Sequence, residues 1–156
     1  MKLFLLRHGK ADWPDWKGSD AERPLTDEGI REMRLVAAAL KHLKVAPDVI
    51  LTSPLSRALR TAEITGKELG VPVEQRVELK PGFDRGECDT LLVTRAGADV
   101  MLVGHEPDFT ALIRSFTGGR ARLSKAAIAA IEIGGELAAP GLLWLFPAKM
   151  LIRLYG

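Results

Sequence analysis

The sequence predicts an α/β layered fold, with a mostly parallel central sheet, helices on both faces and an antiparallel edge. Three observations predict it. Short unbroken apolar runs at Leu3 to Leu6, Val49 to Leu51 and Val100 to Val103 read as strands buried on both sides, the pattern of a parallel sheet covered by helices. Helix-start signals follow the second and third runs directly and the first after a loop, so strands and helices alternate. Toward the end, Ala127 to Ile133 and Leu142 to Leu145 are apolar runs divided by Gly134, Gly135, Pro140 and Gly141, which suits an antiparallel pair at one side.

Taken in order, the first strand delivers Arg7 and His8 to its C-terminal end. A loop with Trp13, Pro14 and Trp16 follows, and Thr26 is placed to cap a helix whose first turn carries Asp27 and Glu28 against the positive end of its dipole. Ile30, Met33, Val36, Ala37, Leu40 and Leu43 recur at steps of three or four and form its apolar face. The second strand ends in Thr52 and Ser53. With Ser53 as N-cap and Pro54 as first helical residue, the next helix stops near Gly70 and carries Arg57 in its first turn. The third strand ends in Gly104 and His105, and Pro107 with Asp108 opens another helix.

Composition narrows the functional classes. The 156 residues, 47% hydrophobic with only 6% aromatic, are expected to form one domain, 1–156, around an aliphatic core. A net charge of +2 from 22 basic and 20 acidic side chains is no basic arm, and no nucleic-acid partner is expected. Cys88 stands alone, which rules out an intramolecular disulfide framework and a cysteine-rich zinc site and suits a reducing compartment. Arg7 and His8 interrupt the N-terminal apolar run before a secretory or membrane segment could form. A cytoplasmic monomer without a membrane partner is expected.

Open sheets of this type bind ligands in the crevice outside the carboxyl ends of their strands. Three strand ends therefore bring Arg7, His8, Arg57 and His105 to one edge. A neutral imidazole is a good nucleophile at neutral pH, and guanidinium forks suit phosphate oxygens. Phosphoryl transfer spreads charge over three equatorial oxygens, so fixed cations are what its catalyst needs most. No Asp, Glu and His cluster has metal-ligand spacing, so neither a metal nor another cofactor is expected.

Arg7-His8-Gly9, Arg57 in SPLSRALRTA and His105 in VGHEP resemble the histidine phosphatase superfamily, the phosphoglycerate mutase-like fold, and most of all its short SixA-type branch of phosphohistidine phosphatases. Arg23-Pro24-Leu25-Thr26 with Gly29, Glu78-Leu79 with Pro81, and Trp144 with Pro147 extend the similarity from Leu3 to about Leu151. The resemblance implies that His8 accepts the phosphoryl group and that Arg7, Arg57 and His105 bind its oxygens. Larger relatives also use a carboxylic acid on the leaving group. Glu78, Asp84 and Glu106 are the candidates here, with none preferred.

A protonated imidazole leaves phosphorus more readily than an alkoxide, so phosphohistidine in a signalling or phosphotransfer protein is the expected substrate. The alternatives are a small-molecule phosphomonoesterase with the same residues, acting on a small phosphate ester, and a non-catalytic phosphopeptide-binding module. Arg23 is expected to pair with a nearby acid and tie its loop down, and Trp13 and Trp16 to pack that loop. His42 is expected to interact with the negative end of the first helix.

Overall fold

The computed structural model describes residues 1–136 and 138–155. Its six strands are β1 (Lys2–Arg7), β2 (Val49–Thr52), β3 (Val73–Gln75), β4 (Val100–Gly104), β5 (Ile128–Glu132) and β6 (Gly141–Phe146), in the spatial order β3-β2-β4-β1-β5-β6. β1, β2, β3 and β4 pair in parallel, whereas β5 runs antiparallel to both β1 and β6. The expected mostly parallel sheet with an antiparallel side is thus present. The parallel strands β1, β2 and β4 show as unbroken apolar runs because they are covered on both faces, and so is β5, whose Ile128 to Ile131 are all buried.

The helices are α1 (Asp27–His42), α2 (Ser56–Leu69), α3 (Arg85–Val93), α4 (Asp108–Thr117) and α5 (Ala148–Tyr155). Alternation along β1 divides the core: Phe4 and Leu6 pack with Met33, Val36, Ala62 and Leu151 of α1, α2 and α5, while Leu3 and Leu5 pack with Leu92, Phe109 and Leu112 of α3 and α4. Burying such side chains contributes about 1.5–3 kcal/mol each. Among the described residues no helix is long and apolar enough to cross a membrane.

Three elements lie outside the sequence expectations. β3 is a three-residue edge strand, α3 carries little apolar periodicity, and α5 follows Pro147 without a preceding cap signal. One boundary also needs correction: α2 starts at Ser56 rather than Pro54, with Leu55 at the N-cap. Ser53 does not cap the helix. Its hydroxyl accepts from the Leu55 N–H at 3.2 Å, holding a turn between strand and helix, and Arg57 remains in the first turn.

Candidate active site

Backbone hydrogen bonds lock three segments together at the carboxyl edge of the sheet. The His8 N–H donates to Gly104 O at 3.1 Å, Ser53 N–H to Val103 O at 3.0 Å, and Ala126 N–H to His8 O at 3.1 Å. Beyond β1 the chain turns at Gly9, where a Cβ would lie 2.8 Å from Met33 Cγ, so only glycine passes so close to α1. The Gly9 N–H donates to Thr61 Oγ1 at 3.0 Å, and the Thr61 hydroxyl donates to the Arg57 carbonyl at 2.8 Å. Thr61 thereby couples the loop of His8 to the helix of Arg57.

The four residues singled out in the sequence come together. The His8 and His105 rings stand 5.3 Å apart, and His8, Arg57 and His105 are 7%, 5% and 3% exposed. His8 Nδ1 lies 2.8 Å from the Gly9 carbonyl, an acceptor only, so Nδ1 carries the hydrogen and Nε2 the lone pair. Burial pushes His8 down to about 3, opposed by the Gly9 carbonyl and reinforced by the cationic form of His105 and by Arg57 and Arg7. Burial likewise pushes His105 down to about 4, with Arg57 adding to the effect. Both imidazoles are therefore neutral near physiological pH.

Ser53 was not among the expected site residues, yet its Oγ is 2.8 Å from His105 Nε2. The Ser53 hydroxyl can donate to Nε2, and in that tautomer the remaining ring hydrogen sits on His105 Nδ1. Nδ1 is buried and has no partner.

Four of the five buried side-chain polar atoms without a partner among the described residues belong to this edge: Arg7 Nε, Arg57 Nε, His105 Nδ1 and Glu106 Oε1. Buried polar groups are nearly always satisfied, and leaving one bare costs about 1–3 kcal/mol. Three are donors from groups that suit an oxyanion.

A single turn of 3-10 helix at Asp20–Glu22 reaches over this edge. Arg57 Nη1 donates to the Asp20 carbonyl at 2.8 Å and Nη2 to Asp20 Oδ2 at 3.0 Å. Arg23 holds the other carboxylate oxygen, with Nη2 to Oδ1 at 3.0 Å, and also donates to the Ala11 carbonyl. Arg23 and then Arg57 hold Asp20 below the usual carboxylate range. Arg23 thus ties the loop to an acid, as expected. Trp13 and Trp16 donate their indole N–H groups to Pro24 and Ser19 carbonyls and brace the same loop. His42, assigned to the helix end, also packs its ring 5.0 Å from that of Tyr155 in α5.

The three acid candidates separate clearly. Glu78 is exposed in a 3-10 turn. Asp84 is the N-cap of α3, accepting from the Glu87 N–H at 2.9 Å in a capping box. Glu106 shares a hollow with Arg7, and its Oε2 accepts from the Thr110 hydroxyl while Oε1 is bare. No group of three or more His, Cys, Asp or Glu side chains able to hold a metal ion occurs among the described residues.

Arginines around paired imidazoles, at the carboxyl edge of this sheet, define a class. Residues 3–91 match the model of the histidine phosphatase superfamily, branch 1, and the chain belongs to that superfamily and is a phosphatase of the SixA type. It is 39% identical over 112 residues, 69% of this chain and 68% of the relative, to phosphohistidine phosphatase SixA of Escherichia coli strain K12. It superposes with a TM-score of 0.85 on the protein histidine phosphatase SixA complexed with tungstate, at 31% identity over 96% of this chain and 98% of the other. The α-ribazole phosphatase of Shigella flexneri shares the fold, with a TM-score of 0.77 at 20% identity over 95% of this chain and 97% of the other.

Proposed function

We propose that this phosphatase removes the phosphoryl group from phosphohistidine in a signalling or phosphotransfer protein, through a covalent phosphohistidine at His8. The observation that carries this reading is the 2.8 Å contact of His8 Nδ1 with Gly9 O, which leaves Nε2 as a neutral nucleophile beside three unpartnered donors. Nε2 attacks phosphorus, the bond from phosphorus to the substrate imidazole breaks, and that imidazole leaves with a proton taken from solvent. Water then attacks the phosphorus on Nε2, the P–N bond breaks, and inorganic phosphate leaves. Arg7, Arg57 and the Nδ1–H of His105 stabilise the equatorial oxygens in both steps. Similarity to a relative called a phosphohistidine phosphatase, and to one complexed with tungstate, a tetrahedral oxyanion, supports the assignment.

All four residues come from one chain, so a monomer is sufficient, and the lone buried Cys88 is compatible with the cytoplasm as the working compartment. Trapping labelled phosphate on the protein tests the reading. The expected result is an acid-labile, alkali-stable label mapping to His8 and absent from His8→Ala. Label on any other side chain would overturn the mechanism. Binding of phosphate with no turnover of any substrate would instead favour a phosphopeptide-binding module.

A second reading, a small-molecule phosphomonoesterase, is supported by one observation: Glu106 has a bare carboxylate oxygen in the hollow it shares with Arg7, and in that reading it is the acid that protonates the ester oxygen. Higher kcat/KM on sugar phosphates than on a phosphohistidine protein would select it.

A further inference from the structure

Beyond α4 the chain runs as a strap from Arg120 to Lys125 past the site, with outward and inward residues alternating. Arg120, Arg122 and Ser124 are exposed, while Leu123 is fully buried. The Leu123 carbonyl accepts from Arg7 Nη1 at 3.0 Å, so the strap is pinned to the phosphate-binding arginine itself. Two adjoining hollows result. One, of about 580 Å³, is lined by Arg7, Glu106, Thr110, Arg120 and Arg122, and the other by Arg7, Arg122, Ser124 and Lys125.

The charge in these hollows is unbalanced. Lys125 is paired with Asp12, but neither Arg120 nor Arg122 takes part in an ion pair among the described residues. Among the described residues Glu106 is the only acid lining either hollow. Burial lowers Arg7 from its usual value, Glu106 opposes this, and Arg122 lowers it further, so Arg7 and Arg122 repel each other across the hollow. An added anion would relieve that repulsion.

We propose that this strap forms a second anion subsite, in which Arg120 and Arg122 receive carboxylate side chains flanking the phosphorylated histidine of an acidic protein segment. The proposal rests on the phosphohistidine reading and adds what selects the partner. A protein partner is favoured because both arginines are exposed on the rim of an open hollow. Such a rim can meet another surface without enclosing a small ligand.

The test compares two phosphohistidine peptides of equal length, one with Asp and Glu flanks and one with Asn and Gln in their place. The readout is the ratio of their kcat/KM values. Wild type should favour the acidic peptide by about tenfold at low salt, and Arg120→Glu/Arg122→Glu, whose exposed side chains are not needed for folding, should bring the ratio to one or below. A ratio near one in wild type, or an unchanged ratio in the double variant, would overturn the subsite. If the variant instead loses activity only on a small phosphorylated carboxylic acid, the hollow serves a small molecule and the protein partner is wrong. If no phosphohistidine substrate turns over, the proposed function fails. The subsite is then judged by binding alone: the unphosphorylated acidic peptide must bind wild type more tightly than the double variant.

Discussion

The carboxylate of Asp20 lies 3.0 Å from Arg57 Nη2, so an arginine that is only 5% exposed is held by an exposed acid, which in the proposed mechanism competes with the substrate oxyanion for it. The Asp20 carbonyl takes Nη1 at 2.8 Å as well, while Arg57 Nε is left bare. Asp20 therefore does two opposing things. It fixes the guanidinium plane, and it places negative charge beside an incoming dianion.

Asp20→Asn separates these effects. Removing the charge should tighten inhibition by tungstate or vanadate about threefold to tenfold, while looser orientation of Arg57 lowers kcat. Inhibition constants and kcat measured on the same preparation decide the matter. Weaker inhibition in the variant would mean that Asp20 only positions Arg57.

Ser53→Ala removes the hydroxyl at His105 Nε2 which, in the Nδ1–H tautomer, is the donor that holds that form. The expected loss is about tenfold in kcat/KM, the scale of one buried hydrogen bond. Nitrogen NMR of the imidazole should show the tautomer mixing. An unchanged tautomer with reduced activity would move the role of Ser53 elsewhere.

Glu106→Gln should cost about a hundredfold on an alkyl phosphate and only a fewfold on phosphohistidine, because an alkoxide needs a proton at departure far more than an imidazole does. Paired kinetics on the two substrates are sufficient. Equal losses on both would show that Glu106 acts on Arg7 or on folding and not on the leaving group.

Stability should depend on pH through the two buried imidazoles. Burial lowers His8 to about 3 and His105 to about 4, below the ordinary value of 6.5, so the unfolded chain binds more protons between these values. Stability is then fully present above about pH 6.5 and declines with acidification at up to about 1.4 kcal/mol per pH unit for each imidazole. The decline levels off below the folded values. Thermal melts between about pH 7 and pH 5 should be less steep in His105→Asn, and an identical slope would contradict the linkage.

Gly29→Ala should destabilise the fold by about 2–4 kcal/mol, since a Cβ there would lie 2.2 Å from the Lys10 carbonyl oxygen and α1 would be pushed from the loop that follows His8. Calorimetry checks this directly. A melting temperature within a degree of wild type would mean that helix and loop separate freely.

Much of the architecture was legible because β1, β2 and β4 are covered on both faces and so show as unbroken apolar runs. Arg7, His8 and His105 were legible for the same reason: each sits at the end of such a run. β3 and α3 were not, since a three-residue edge strand and a helix holding Cys88, Leu91 and Leu92 against one face carry too little periodicity. Ser53 was misread as a helix cap because a serine before a proline signals one locally, and only the approach of β4 brings His105 Nε2 to its hydroxyl.

By itself the sequence determined the order of strands and helices, the edge of the sheet that carries chemistry, and the residue types gathered there, because burial and strand-end position are written in local patterns. Only the tertiary structure decided that Asp20 grips Arg57, that Thr61 joins the loop after His8 to α2 and that Glu106 faces Arg7. Those are contacts between groups far apart in the chain. Hydrogen bonds and ion pairs depend on ångström-scale distances that no local propensity encodes.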